Sequence, residues 1–191
     1  MPTLDKYAPY ILSAYGVAII ALGGLVLYVT TPNTRKMTMS PRLNPFATSA
    51  KLMQMLAEFG TTVVNSGLEK NLTNLVKIRA SQINGCAICL SMHTREARQS
   101  GETEERLFML DAWRETPLYT DRERAALAWT DALTLVAATH APDDVYQQVK
   151  AQFNEEEQVQ LTLLIGVINS YNRLGVGFRL GPPAKAQRDA A

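Results

Sequence analysis

Cysteine and histidine are scarce, with two of each in 191 residues. The cysteines stand only three positions apart, which excludes a structural disulfide framework, because so short a loop removes little freedom from the unfolded chain. A structural zinc site is short of ligands. Cys86, Cys89 and His93 would need a fourth, and His140 is the only other histidine. Excess charge of one sign is also lacking: 19 basic residues face 18 acidic ones, for a formal net charge of +1. That balance gives no electrostatic case for nucleic acid as a partner. No stretch reads as an array of strands, and no internal repeat is visible.

Charge is absent altogether between Lys6 and Arg35. Within that gap, Tyr10 to Val29 is apolar and matches the roughly 20 residues a helix needs to cross a bilayer. Tyr7, Tyr10 and Tyr28 stand near its ends, where aromatic belts form. A cleaved signal peptide fits less well, since Asp5 cancels Lys6 and Val29 leads into no small-x-small site. The expectation is a single transmembrane helix over residues 1–30. Arg35, Lys36, Arg42 and Lys51 on its C-terminal side would keep the C-terminal domain in the cytoplasm. A start at Met37 would leave a purely cytoplasmic protein.

Residues 31–45 read as a linker, broken by Pro32, Pro41 and Pro45. Beyond it the pattern is helical and the expected class is all-α, about six helices over residues 46–180. Asn44-Pro45 is an N-cap with proline at the first helical position, followed by Leu52, Met55, Leu56 and Phe59 at helical spacing. Leu68 to Ala80 is a second helix, and Asn84-Gly85 breaks the chain before a third that ends near Ser100-Gly101. Thr120–Glu123 is a capping box, Pro142-Asp143-Asp144 opens a helix with acids in its first turn, and Asn154–Glu157 caps the last. Residues 181–191 are expected to be a disordered tail. Trp113 and Trp129 read as core and His140 as a loop residue, while Tyr171 and Arg173 suit either a site or an interface.

The two cysteines and one histidine form the run Cys86-x-x-Cys89-x-x-x-His93. Residues three, four and seven apart share one helix face, so both sulfurs and the imidazole fall on one stripe. Cys86 is expected in the first helical turn, where the dipole favours a thiolate. A thiolate attacks a peroxide to give a sulfenic acid, which a neighbouring thiol condenses into a disulfide. His93 can carry a proton near neutral pH. The spacing therefore suffices for a peroxidase half-cycle or for disulfide exchange. Two cysteines on a helix can also be plain small hydrophobes.

The stretch from Leu75 through Val-Lys-Ile-Arg-Ala-Ser-Gln-Ile-Asn-Gly to Cys86-Ala-Ile-Cys89, with Met92-His93, resembles the alkylhydroperoxidase D (AhpD-like) branch of the carboxymuconolactone decarboxylase family. Thr120 to Trp129 and Asn169 to Phe178 agree with it, so the resemblance covers about residues 44–180. It implies an all-helical fold assembled as trimers or hexamers. It also implies thiol peroxidase activity, with a peroxide substrate, no cofactor or metal, and electrons returned by a dithiol partner protein. By the family's pattern Cys89 attacks the peroxide and Cys86 resolves, the reverse of what the helix dipole alone favours. The histidine beside Cys89 is a physical reason for that order. One position departs from the pattern: the family's proton-relay glutamate, twelve residues before the first cysteine, is Asn74 here. An amide hydrogen-bonds but cannot relay a proton as a carboxylate does. Glu69 lies five residues earlier, on another helix face.

Residues 3–30 separately resemble heme exporter protein D (CcmD) of cytochrome c maturation, through Leu4 to Gly16 and the apolar run after them. That resemblance implies an inner-membrane helix fused to a redox domain. The alternatives to a peroxidase are therefore a membrane component of cytochrome c biogenesis and a helical oligomerisation module with idle cysteines.

Overall fold

In the computed structural model, residues 40–182 are described, and all their regular structure is helical. The expected membrane helix over residues 1–30 and residues 183–191 of the tail expected over 181–191 lie outside them, while residues 181 and 182 carry no regular structure. No helix among the described residues is long and apolar enough to cross a membrane.

The longer helices are α2 (Ala50–Val64), α3 (Lys70–Asn84), α4 (Ala87–Gln99), α6 (Asp121–Thr134), α8 (Asp143–Gln152) and α9 (Glu155–Gly177). The short ones are α1 (Pro45–Thr48), α5 (Glu104–Met109) and α7 (Val136–Thr139), and a 3₁₀ segment follows α5 over Leu110–Glu115. The expected six helices thus correspond to the long ones, and the short segments correct that count. The single helix expected after Pro45 is divided at Ser49, whose backbone (φ −135°, ψ 55°) leaves the helical region. Asn44 caps α1 as expected, its side chain accepting from the Phe46 and Ala47 amides. Both predicted capping boxes are formed, Thr120 with Glu123 on α6 and Asn154 with Glu157 on α9.

Helix α3 is the centre of the fold because it is apolar on two sides. Leu72 and Val76 join Trp129, Val149, Phe153, Leu161 and Ile165 in one core cluster. Leu75 and Ile78 join Leu107, Leu110, Trp113 and Leu127 in the other. Each such aliphatic side chain contributes about 1.5–3 kcal/mol by leaving water. Both tryptophans are core residues, 4% and 8% exposed. Arginines then tie the helix ends together. Arg122 on α6 bonds Glu69 (2.8 Å) at the start of α3 and Glu157 (2.7 Å) at the start of α9. Arg79 on α3 bonds Asp131 on α6 (2.6 Å).

The apolar stripe of α2 behaves differently from an ordinary core face. Leu52, Met55 and Phe59 are exposed by 64%, 55% and 45%, while Met53, Gly60 and Val63 face inward. Sequence periodicity identifies an amphipathic helix but not what covers each side of it.

Candidate active site: a buried disulfide, a histidine and an apolar cleft

Gly85 sets the geometry of the site. It ends α3 in the left-handed region (φ 65°), where glycine carries no Cβ penalty, and the chain reverses there into α4. The Cys86 amide donates back to Ser81 O, and Cys86 becomes the N-cap of α4. This corrects the expectation that Cys86 occupies the first turn: Cys86 stands just outside the helix, and Cys89 is the cysteine within its first turn. Both sulfurs therefore sit at the positive end of the helix dipole. Proximity to that end does not by itself rank one above the other.

Cys86 and Cys89 are joined in a disulfide, with their Cα atoms 5.4 Å apart. The bond is buried, with Cys86 1% and Cys89 6% exposed. It rests on α9 at Gly175, where a Cβ would lie 2.7 Å from Cys86 Sγ and 3.7 Å from Cys89 Sγ. Only glycine leaves room for the sulfurs there. Gly175→Ala is therefore expected to destabilise the oxidised protein by about 1–3 kcal/mol through overpacking, despite alanine's better helix propensity. On the same helix Gly166 has nothing within 4 Å, and Gly166→Ala should instead stabilise by up to about 1 kcal/mol. Urea denaturation of the two variants checks the opposite signs.

His93 follows Cys89 by one helical turn on α4 and shares its face. Its Nδ1 lies at hydrogen-bond distance from Glu96 Oε2, 2.8 Å, and Lys77 Nζ from α3 donates to the same oxygen at 3.0 Å. The hydrogen bond from His93, together with Lys77, outweighs desolvation and lowers the Glu96 carboxyl to a pKa of about 2. A group depressed in the folded state contributes stability above its unfolded value near 4.5, lost as pH falls toward 2. Glu96 is 43% exposed, so solvent screening limits the contribution to about 0.5–1 kcal/mol. The difference in urea midpoint between the native chain and Glu96→Gln should accordingly be present at pH 6 and vanish near pH 2.

A cleft of about 370 Å³ opens beside this trio. Gly60 and Val64 of α2 and Leu164, Ile168 and Tyr171 of α9 form its apolar wall, and Lys77, His93 and Glu96 form its polar edge. Tyr171 lies one turn before Gly175 on α9, the glycine against which the sulfurs rest, and neither cysteine is among the residues lining the cleft. Of the two residues left open between site and interface, Tyr171 lines this cleft. Arg173 instead lines a separate surface depression and donates to Asn169 O and Oδ1.

Asn74 is placed on α3 one turn before Lys77, 3% exposed, and its Nδ2 has no hydrogen-bond partner. It makes no bond to His93. Glu69 is held at the far end of α3 by Arg122 and takes no part in the site. His140 caps α7 on the surface, away from both. Among the described residues no group of three His, Cys, Asp or Glu side chains is placed to hold a metal ion.

Sequence reasoning missed Lys77, Glu96 and Gly175. It also missed a buried amide layer between α3 and α9, in which Asn84 Nδ2 donates to Asn169 Oδ1 and Asn172 Oδ1, both at 3.0 Å. Asn172 Nδ2 in turn donates to Ser81 Oγ at 3.0 Å. This layer fixes the end of α3 from which the cysteine turn departs. The only sequence signal for it was polar residues at helical spacing within otherwise apolar runs.

Residues 50–132 match the carboxymuconolactone decarboxylase family. A Bacillus subtilis protein, uncharacterized protein YdfG, is 38% identical over 138 residues, which are 72% of this chain and 94% of the relative. A crystal structure from Agrobacterium tumefaciens, of a protein of unknown function provisionally assigned to AhpD-type antioxidant defence, superposes with a TM-score of 0.75 at 42% identity. It covers 76% of this chain and all of that one (100%). A peroxidase-related protein with an alkylhydroperoxidase AhpD core, from Ralstonia eutropha JMP134, has a TM-score of 0.64 over 73% of this chain and 75% of its own. At 14% identity it speaks to the fold alone. Helical architecture, the turn into the paired cysteines and these likenesses agree: the chain belongs to the carboxymuconolactone decarboxylase family and has its AhpD-like helical fold.

Proposed function

We propose that the protein is a thiol-dependent peroxidase, a dithiol oxidoreductase of the alkylhydroperoxidase D type. The observation that carries this reading is the Cys86–Cys89 disulfide at the start of α4, with His93 one turn further along the same face. In the reduced chain the Cys89 thiolate attacks the outer oxygen of a hydroperoxide. The O–O bond breaks, Cys89 becomes a sulfenic acid, and the leaving alkoxide takes a proton delivered through His93. The Cys86 thiol then condenses with the sulfenic acid, releasing water and forming the disulfide seen here. A dithiol partner protein restores both thiols by exchange and is itself oxidised.

Cys89 is the better candidate for first attack. It lies inside the helical turn, precedes His93 by four residues, and is the less deeply buried of the pair. Cys86 packs against Gly175 and is 1% exposed, a position suited to the resolving thiol. The antioxidant-defence assignment of the Agrobacterium relative favours the same chemistry.

Self-association as a trimer or hexamer belongs to the proposal, and the exposed Leu52, Met55 and Phe59 stripe of α2 supports it. A tether to the inner membrane through residues 1–30, with the redox domain cytoplasmic, is a further part of the proposal and rests on the sequence alone. The test is peroxide consumption by the purified protein with a dithiol reductant, the native chain against Cys89→Ser. Equal rates would overturn the thiol mechanism and leave the oligomerisation module.

A further inference from the structure

We propose that Glu96, anchored by Lys77, is the positioning residue for His93, holding a proton on Nδ1 and directing Nε2 to the reacting sulfur. This inference rests on the peroxidase reading and names a residue that the family's relay pattern does not supply. Residue 74, where that pattern has a carboxylate, is an amide whose Nδ2 meets nothing. Among the described residues, Glu96 is the carboxylate bonded to His93, at 2.8 Å.

The geometry determines the tautomer. Glu96 stays ionised through neutral pH, so it can only accept a hydrogen bond. The proton between them therefore belongs to Nδ1, which leaves Nε2 as the nitrogen that takes a proton from a thiol or gives one to a leaving oxygen. An unrestrained imidazole rotates about two side-chain bonds and exchanges tautomers. Here the ring is 13% exposed and pinned from one side. Lys77, also 13% exposed, keeps the carboxylate from swinging outward, because its ammonium bonds the same oxygen. The cation comes from α3 and the carboxylate from α4, so the pair also fastens the two helices whose junction carries the cysteines. The remaining groups facing His93 across the cleft are Tyr171 from α9 and Thr61 from α2, and neither is charged at neutral pH. In metal sites, a carboxylate that orients a ligating histidine and sets its tautomer is worth about one to two orders of magnitude, and an effect of that size is expected for the same role here.

Glu96→Ala isolates the effect, since alanine keeps the helix and removes the acceptor. Two measurements are made on it. Long-range ¹⁵N–¹H spectra of the oxidised protein read the His93 tautomer, and steady-state kinetics of the reduced protein read kcat and KM for an organic hydroperoxide. The expected results are loss of the Nδ1–H tautomer in favour of Nε2–H, and a kcat about 10- to 100-fold lower with KM within about twofold. An unchanged tautomer overturns the proposal, as does an unchanged kcat in a variant whose tautomer has shifted. A native chain that consumes no peroxide overturns the peroxidase reading instead, and the spectra then decide the positioning claim by themselves.

Discussion

Replacing Cys89 by serine is expected to lower peroxide consumption by at least about 10³-fold, because a serine hydroxyl at neutral pH is almost wholly protonated and does not attack the O–O bond. Cys86→Ser is expected to fail differently. It should form the sulfenic acid at Cys89 in one fast turnover and then stall, having no thiol to condense with it. The two variants together separate attack from resolution. Mass spectrometry after treatment with a sulfenic-acid trap should find the adduct on Cys89 in Cys86→Ser and none on Cys86 in Cys89→Ser. An adduct on Cys86 would reverse the assigned order. It would also favour the N-cap position over the neighbouring histidine as the source of thiolate reactivity.

The second large effect is a gain. Asn74→Glu is expected to raise kcat by about 10-fold or more, toward the contribution of a positioned general acid–base. Glu96 does not make this addition redundant. Its pKa of about 2 keeps it ionised during turnover, so it orients the ring without cycling a proton. A glutamate at position 74 meets the opposite environment. The site is 3% exposed, and the present amide Nδ2 has no partner. Desolvation there raises a carboxyl toward neutrality, where proton transfer is efficient. The same burial carries a stability cost of about 1–3 kcal/mol, so a lower urea midpoint should accompany the faster turnover. An unchanged kcat in a folded variant would mean that residue 74 does not limit this protein.

Much of the fold was legible in the chain because it is local. The capping boxes at Thr120 and Asn154, the proline after Asn44 and the glycine break at Gly85 each act within one turn, and each appears where the sequence places it. The shared face of Cys89 and His93 follows from helix pitch alone. Other features depend on contacts between distant segments. Lys77 and Glu96 are 19 residues apart and meet only because α3 and α4 pack together. Gly175 reads as an ordinary helix glycine until the sulfurs are seen against it 86 to 89 residues earlier. The break at Ser49 and the short helices around residues 104–115 and 136–139 carry no strong propensity signal, and tertiary packing decides them. Leu52, Met55 and Phe59 form a correct amphipathic pattern whose apolar side nonetheless faces outward in the single chain. Periodicity gives the face and leaves its partner unspecified. The departure at residue 74 was visible from spacing, but its burial without a partner was not.

Cys86 and Cys89 are expected to pass between dithiol and disulfide as peroxide is reduced, and a thiol count tests this most directly. Fully reduced protein, mixed anaerobically with one equivalent of an organic hydroperoxide, should lose both of its 2 cysteine thiols per chain. It should return one equivalent of the alcohol, with the Cys86–Cys89 peptide isolated as the disulfide. Retention of both thiols while the peroxide is consumed, or survival of peroxide and thiols side by side, would contradict the account.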